Sequence, residues 1–360
     1  MIDLTPSRQI IAAWNDAVAA GKLQNFLVAP ADDTKGRWRQ GDRIRFGLRM
    51  AMEVAAAPEF FAVNESLGRE ISLATRRQVL SEIGFECRFS EYRLLKPGGN
   101  LRRLGRLPDI SDAADQCRFH CENPAHALSL LNREPLATAR FNGGRWNAYY
   151  NALPLEPCGH FIWVPTTAND AMSFSAPGVL PHFPQRLTAE WVDDLLELSA
   201  TYCDQIILFN SIYAGASVNH IHLQSLVQRG RLAVETSTVT TYCGLQVLDD
   251  YPAAAFAFAP DERAAICSCV ARLQELEVPF NLVCFPARLL IFPRDANHAI
   301  VSEFPGDALA GLDFAGRCFV ADPEAYEAAD ANRVISALGK TVLSMPQLEK
   351  MGYFRQDGPQ

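Results

Sequence analysis

Asn210-Ser-Ile-Tyr-Ala-Gly-Ala-Ser-Val-Asn-His-Ile-His-Leu-Gln224 is the stretch on which the reading of this chain turns. Within it His220, His222 and Gln224 alternate with Ile221 and Leu223. A period of two puts the three hydrogen-bonding side chains on one face of a strand and the two aliphatic ones on the other. Just upstream, Gly215, Ala216 and Ser217 make a small-residue loop, and small residues let backbone N–H groups come close to an anion. Imidazoles beside such a loop suit attack on phosphorus. A neutral imidazole, with an unperturbed pKa near ~6.5, needs no separate base, but its second ring nitrogen must be held by an acceptor. Phosphoryl transfer is then mostly positioning and charge stabilisation, for which Gln224, Ser217 and Asn210 are neutral donors. An isolated His-x-His could be a metal pair or satisfied core groups, and alone it would favour the structural reading; the neighbouring loop and Gln224 favour chemistry here.

His220-Ile-His222-Leu-Gln224 resembles the His-x-His-x-Gln motif of the galactose-1-phosphate uridylyltransferase branch of the histidine-triad (HIT) superfamily. In that branch the second histidine becomes nucleotidylated, a role the resemblance assigns to His222, with His220 and Gln224 beside it. Gly215 to Gln224, including Asn219, is similar to the active-site stretch of GDP-hexose phosphorylases. The similarity continues in Asn147 to Pro165, where Gly159-His160 opens a strand, and in Phe183-Pro-Gln-Arg-Leu-Thr188. Beyond the motif it includes Arg231 to Glu235, Val278 to Val283, Leu289 to Arg294 and Gly311 to Val320. It implies an α+β fold of two HIT-like units, antiparallel sheets with packed helices, in one chain. The expected division is a divergent region at 1–135, a first unit with the motif at 136–248, and a degenerate second unit at 249–360. Substrate contacts are expected from Asn210, Gly215, Ala216, Ser217, Asn219, His160, Glu235 and Arg294. For the last two, a solvated strand-edge carboxylate and a surface ion pair are the competing readings.

Composition agrees with a folded enzyme. The chain has 360 residues, 49% of them hydrophobic, and a formal net charge of -8. The charge disfavours nucleic acid as the main partner. No apolar run is long enough to span a bilayer, and the N-terminus lacks a secretory pattern, so the expectation is a cytoplasmic protein without membrane partners. The ten cysteines are scattered, several in apolar runs, as buried thiols are. Cys117-Arg-Phe-His-Cys121, with His126 nearby, is the exception. Members of the transferase branch can carry a structural zinc held by an N-terminal cysteine pair and the first motif histidine. Here the spacing is Cys-x3-Cys rather than Cys-x2-Cys, and no counterpart of the other histidine ligand is evident. The expectation is therefore that no cofactor is required. His182 and His298, both in loops, read as solvated. No Walker loop or Gly-x-Gly-x-x-Gly occurs.

Patterning predicts helices at Arg8–Ala20, Thr75–Ile83 (ended by Gly84), Ala125–Asn132, Thr188–Cys203, Asp261–Leu276, Pro323–Ala329 and Asn332–Leu338. It predicts strands at Trp146–Asn151, His160–Val164, Ile206–Phe209, the histidine stretch, Thr238–Tyr242, Phe280–Phe285, Arg288–Pro293 and Phe314–Val320, with Ala253–Pro260 a strand or an insertion. The loop 166–185 reads as a lid or a plain surface excursion.

The resulting expectation is a phosphorylase-type nucleotidyltransferase that works through a nucleotidyl-His222 intermediate with ping-pong kinetics. Its substrates are a nucleotide sugar, GDP-hexose favoured, and inorganic phosphate or a sugar phosphate. The alternatives are a dinucleoside polyphosphate phosphorylase, a sugar-1-phosphate uridylyltransferase, and a nucleotide-binding protein that has lost catalysis. A homodimer is compatible with the pattern.

Overall fold

The computed structural model describes residues 4–19, 61–64, 69–72, 75–82, 84–90, 117, 119, 121, 134–151, 155, 159–168, 182–228, 230–298, 301–302, 304 and 309–354. The helix expected at Ala125–Asn132 lies outside them, as does His126. Helix α1 spans Thr5–Ala19. Strands β1 (Phe61–Asn64) and β2 (Arg69–Ser72) form a separate antiparallel pair.

A ten-stranded antiparallel sheet holds most of the other described strands. Its strands are β5 (Ala137–Phe141), β6 (Gly144–Tyr150), β7 (His160–Ala168), β8 (Gln205–Asn210), β9 (Leu223–Val227), β10 (Val239–Tyr242), β11 (Leu245–Leu248), β12 (Phe256–Phe258), β13 (Phe280–Phe285) and β14 (Arg288–Pro293), in the order β10-β11-β12-β14-β13-β8-β9-β7-β6-β5. The expectation of an α+β fold on antiparallel sheet is met. Strands β8 and β13 pair at its centre and are buried at every position. Their continuous apolar runs are what a strand covered on both faces requires. On one face Ile207, Phe209, Leu282 and Cys284 pack with Val192, Leu195 and Leu196 of helix α2 (Ala189–Thr201) and Ile266, Val270 and Leu273 of helix α3 (Arg263–Glu275). On the other, Ile206, Leu208 and Val283 pack with Leu312 and Phe314 of the short helix α4 (Gly311–Phe314). Thr188 caps α2 as expected, its Oγ1 accepting from Trp191 N.

A three-stranded sheet joins distant segments: β3 (Thr75–Val79), β4 (Glu86–Ser90) and β15 (Arg317–Val320), with β15 parallel to β4. This corrects two expectations. Thr75–Val79 is a strand, not a helix, because tertiary partners override its helix-forming arginines. Arg76 lies over the Phe89 and Tyr326 rings, and Arg77 pairs with the buried Glu86. The segment expected as a strand at Phe314–Val320 instead begins with α4, and its strand leaves the large sheet. Helices α5 (Pro323–Glu327), α6 (Ala331–Lys340) and α7 (Met345–Lys350) close the described chain; α7 had no forerunner in the patterning. No helix among the described residues is long and apolar enough to cross a membrane.

Candidate active site

Strand β8 delivers the chain to Asn210. A tight turn follows, with Tyr213 at φ 63° and Gly215 at φ 97°. A Cβ on Gly215 would stand 2.9 Å from the Ala310 Cβ, so this turn needs glycine both for its backbone and for the close approach. The ladder of β9 begins only at Leu223. His220, Ile221 and His222 therefore precede the strand rather than lie within it, which corrects the expected strand boundary. Their backbone groups find other partners, as buried groups must. Ile221 N donates to Phe183 O (2.8 Å). His222 N donates to Gln185 Oε1 (2.9 Å), and Gln185 Nε2 donates to His222 O (3.2 Å) and Asn210 O (2.8 Å). Asn219 Oδ1 accepts from Gln185 N at 2.8 Å. The end of the loop expected as a lid, residues 182–185, is thus packed against the histidine stretch; residues 169–181 lie outside the described residues.

The His222 ring is held as a nucleophile requires. Its Nδ1 lies 2.7 Å from His220 O. A carbonyl can only accept, so Nδ1 carries the proton and Nε2 keeps its lone pair. The residue is 5% exposed, and the edge of Phe119 packs on it with ring centroids 5.4 Å apart. His160, on the neighbouring strand, is fixed in one tautomer. Its Nδ1 accepts from Leu155 N (2.8 Å), so its Nε2–H donates to Gln224 Oε1 (3.0 Å). That bond aims the Gln224 amide group, turning its –NH2 away from His160 as a donor. His160 therefore sits one residue back from the place of direct contact expected for it.

Two other expected contacts, Arg294 and Glu235, are corrected, and Asn210 is placed in a buried network. Asn210 Oδ1 accepts from Asn281 Nδ2 (2.6 Å) and Gly311 N (3.0 Å), so that oxygen ties strands together. Arg294 is 1% exposed. Its guanidinium donates to Thr341 O (2.9 Å), Asn281 Oδ1 (2.7 Å) and Leu309 O (2.9 Å), and lies 4.5 Å over the Phe314 ring. Burial pushes its pKa down to about 9, but it is a core residue, not a surface pair or a phosphate ligand. Glu235 turns its carboxylate to Leu232 N (2.6 Å) and Gln228 Nε2 (2.8 Å), capping a short helical turn. His298 is exposed and pairs with Asp295, in line with a solvated loop.

The cysteine pair departs furthest from expectation. Cys117, Cys121, His182 and His220 converge, with one donor atom from each lying within 4.8 Å of all the others. His182 is not a solvated loop residue. Cys117 Sγ is 3.6 Å from His220 Nδ1, and Cys121 Sγ is 3.5 Å from His182 Nδ1. A tetrahedral zinc ion, with Zn–S about 2.3 Å and Zn–N about 2.0–2.1 Å, requires sulfur–nitrogen edges of roughly 3.6 Å. The Nε2 atoms of His182 and His220 are buried and find no hydrogen-bond partner among the described residues. The hydrogen bond from Cys121, with His220 alongside, brings the Cys117 thiol down to about 3 against its burial, so it is available as thiolate. The donor set and its spacing fit zinc, with His220, the first motif histidine, and His182 as the imidazoles that could complete it; His126 lies outside the described residues.

Sequence reasoning passed over Gln185, Asn281, Phe119 and the role of His182. Gln185, Asn281 and Phe119 lie within stretches quoted above, but no spacing gives any of them a role. His182 left only the trace of being one of seven histidines in a chain whose cysteine pair and first motif histidine still lacked a fourth ligand.

No family model and no curated protein sequence matches the chain. Solved structures do. The chain shares the fold of yeast Ap4A phosphorylase Apa2. Against that enzyme in complex with Ap4A the TM-score is 0.54 at 12% identity, covering 95% of this chain and 99% of that one. Apa2 by itself gives 0.52 at 12% over the same shares. Its complex with AMP gives 0.52 at 13%, over 95% and 97%. The fold, α+β on antiparallel sheet as expected, is thus shared with that enzyme over nearly the whole of both chains.

Proposed function

We propose that this chain is a phosphorylase-type nucleotidyltransferase with His222 as its nucleophile. The observation that carries the reading is the 2.7 Å bond from His222 Nδ1 to His220 O, beside a Gln224 amide aimed by His160. In the proposed reaction Nε2 attacks the α-phosphorus of the donor. An N–P bond forms, the P–O bond to the leaving phosphate breaks, and the leaving group takes the electron pair. Inorganic phosphate then attacks the nucleotidyl-His222, and the N–P electron pair returns to the imidazole. Two inversions give net retention and ping-pong kinetics. Gln224 –NH2 and the 215–217 loop stabilise charge on the non-bridging oxygens.

Cys117, Cys121, His182 and His220 would hold a zinc ion, which when bound fixes the His220 ring and ties three segments of the chain together. No step of the transfer passes through it.

The donor favoured is a dinucleoside polyphosphate, because the likeness to Apa2 spans nearly the whole of both chains. A GDP-hexose is the second reading, supported by the run Gly215 to Gln224. The test is intact-mass measurement after mixing with Ap4A, GDP-glucose, ADP-glucose and UDP-glucose, each without phosphate. A nucleotidyl adduct that inorganic phosphate discharges, absent in His222→Ala, is the expected result, and the donor that forms it fastest names the substrate class. Discharge only by a sugar phosphate points to a uridylyltransferase-like exchange. Binding without an adduct from any donor rejects the enzymatic reading in favour of a nucleotide-binding protein.

A further inference from the structure

His222 needs more than a correct ring rotamer, because its backbone lies outside the sheet. Strand β9 starts at Leu223, so the peptide group before the nucleophile lies outside the ladder and His222 itself has no register partner among the described strands. One side chain takes a partner's place. Gln185 accepts from His222 N at 2.9 Å and donates to His222 O at 3.2 Å, a two-way bond of the kind a paired strand residue would make. The same Nε2 donates to Asn210 O at 2.8 Å, on the last residue before the small-residue turn. Gln185 is itself held. It is 4% exposed, its backbone N donates to Asn219 Oδ1 at 2.8 Å, and the preceding Phe183 O accepts from Ile221 N at 2.8 Å.

We propose that Gln185 is a positioning residue for the transfer: a surrogate strand partner that locks the His222 backbone and the entrance of the phosphate loop at a fixed separation. The proposal rests on His222 being the nucleophile. The amide is suited to the task and its isosteres are not. Glutamate keeps an acceptor for His222 N but loses the donor to His222 O and Asn210 O, setting a carboxylate oxygen against two carbonyls. Methionine keeps the volume and loses both functions. Near-attack geometry is steep in distance, and a misplacement of about 1 Å costs on the order of 100-fold in rate.

The test compares wild type, Gln185→Met and Gln185→Glu in three measurements. Single-turnover formation of the nucleotidyl adduct should slow by about 100-fold in Gln185→Met. Gln185→Glu should slow as well, and the donor KM should stay within about threefold of wild type in both, as for an interaction that matters in the transition state. Amide hydrogen exchange should speed up at His222 while the β8 and β13 amides keep their protection. Melting temperature and zinc content, measured alongside, identify a variant that has merely failed to fold, in which case the other variant decides. Wild-type adduct kinetics in a folded Gln185→Met would overturn the proposal, as would an effect on KM alone. A wild type that makes no adduct with any donor overturns the functional reading and this proposal with it, an outcome told apart from failure of the clamp by the wild-type trace.

Discussion

At the scale of single residues, the site is a set of side chains held by other side chains. His160 is the clearest case, since Leu155 N fixes its tautomer and its Nε2–H then fixes the Gln224 amide. In His160→Phe the amide loses the partner that decides which end faces the phosphate. A neutral hydrogen bond contributes about 1 kcal/mol, so adduct formation should slow by about 5–10-fold with His222 still able to react; an unchanged rate would mean Gln224 is oriented by something else. The proposed zinc ligands give a second prediction. Cys117→Ser and His182→Ala should drop bound zinc well below one ion per chain by elemental analysis, and a chelator should lower the wild-type melting temperature. His126→Ala should keep its full metal content, because two thiols and two imidazoles already complete a tetrahedron; loss of metal there would reinstate the ligand set that the sequence suggested. The His220, His222 and Gln224 row was legible in the sequence because it is local and periodic. His182 and Gln185 were not, because they reach the row across a loop and act through atoms that no spacing rule connects.

At the scale of elements, legibility followed how far each element depends on distant partners. Strands β13 and β14 fall where their uninterrupted apolar runs place them, at Phe280–Phe285 and Arg288–Pro293. Strand β3 was misread because Thr-Arg-Arg-Gln-Val carries no such run, and it is a strand only through Glu86, Phe89 and Tyr326. The contact between α2 and the β5–β6 hairpin supplies a pH prediction. Asp194 on α2 is 1% exposed and accepts from Gly143 N and Trp146 Nε1, each at 2.7 Å. Burial raises its pKa from 3.8 to about 6 despite both bonds. The folded state thus holds a proton that the unfolded state has lost between about pH 4 and pH 6, so this group's contribution to stability falls as pH rises through that window. The fall amounts to at most about 3 kcal/mol. Asparagine does not titrate, but its –NH2 would face one of the two N–H donors, a fixed cost of about 1–3 kcal/mol. Denaturant unfolding should therefore show wild type losing ground to Asp194→Asn from pH 4 to pH 6 and a constant difference above it. A gap independent of pH would mean that the two N–H groups keep the carboxylate ionised throughout.

At the scale of the whole molecule, one sheet passes through both halves of the chain, and a buried polar chain crosses the same seam. Strand β8 meets β13 with Leu208 opposite Val283 and Phe209 opposite Leu282. Beside that pairing, Arg294 holds Asn281, and Asn281 holds both Asn210 Oδ1 and Ala214 O at 2.6 Å. The turn before the histidines is therefore set from residues much further along the chain. Such a seam should make unfolding cooperative, and the tryptophans provide a probe from one part of the sequence: all five, at 14, 38, 146, 163 and 191, precede β8 in the chain. Arg294→Met keeps the bulk but strands three buried acceptors, Thr341 O, Asn281 Oδ1 and Leu309 O, at an expected cost of about 2–4 kcal/mol. If the halves unfold together, the tryptophan fluorescence transition must shift by that full amount, although no tryptophan lies beyond residue 191, and it must coincide with the far-ultraviolet circular dichroism transition. Two separated transitions, with the tryptophan one unmoved, would show that residues before β8 fold independently of the seam, and the turn would then take its shape from its own glycine.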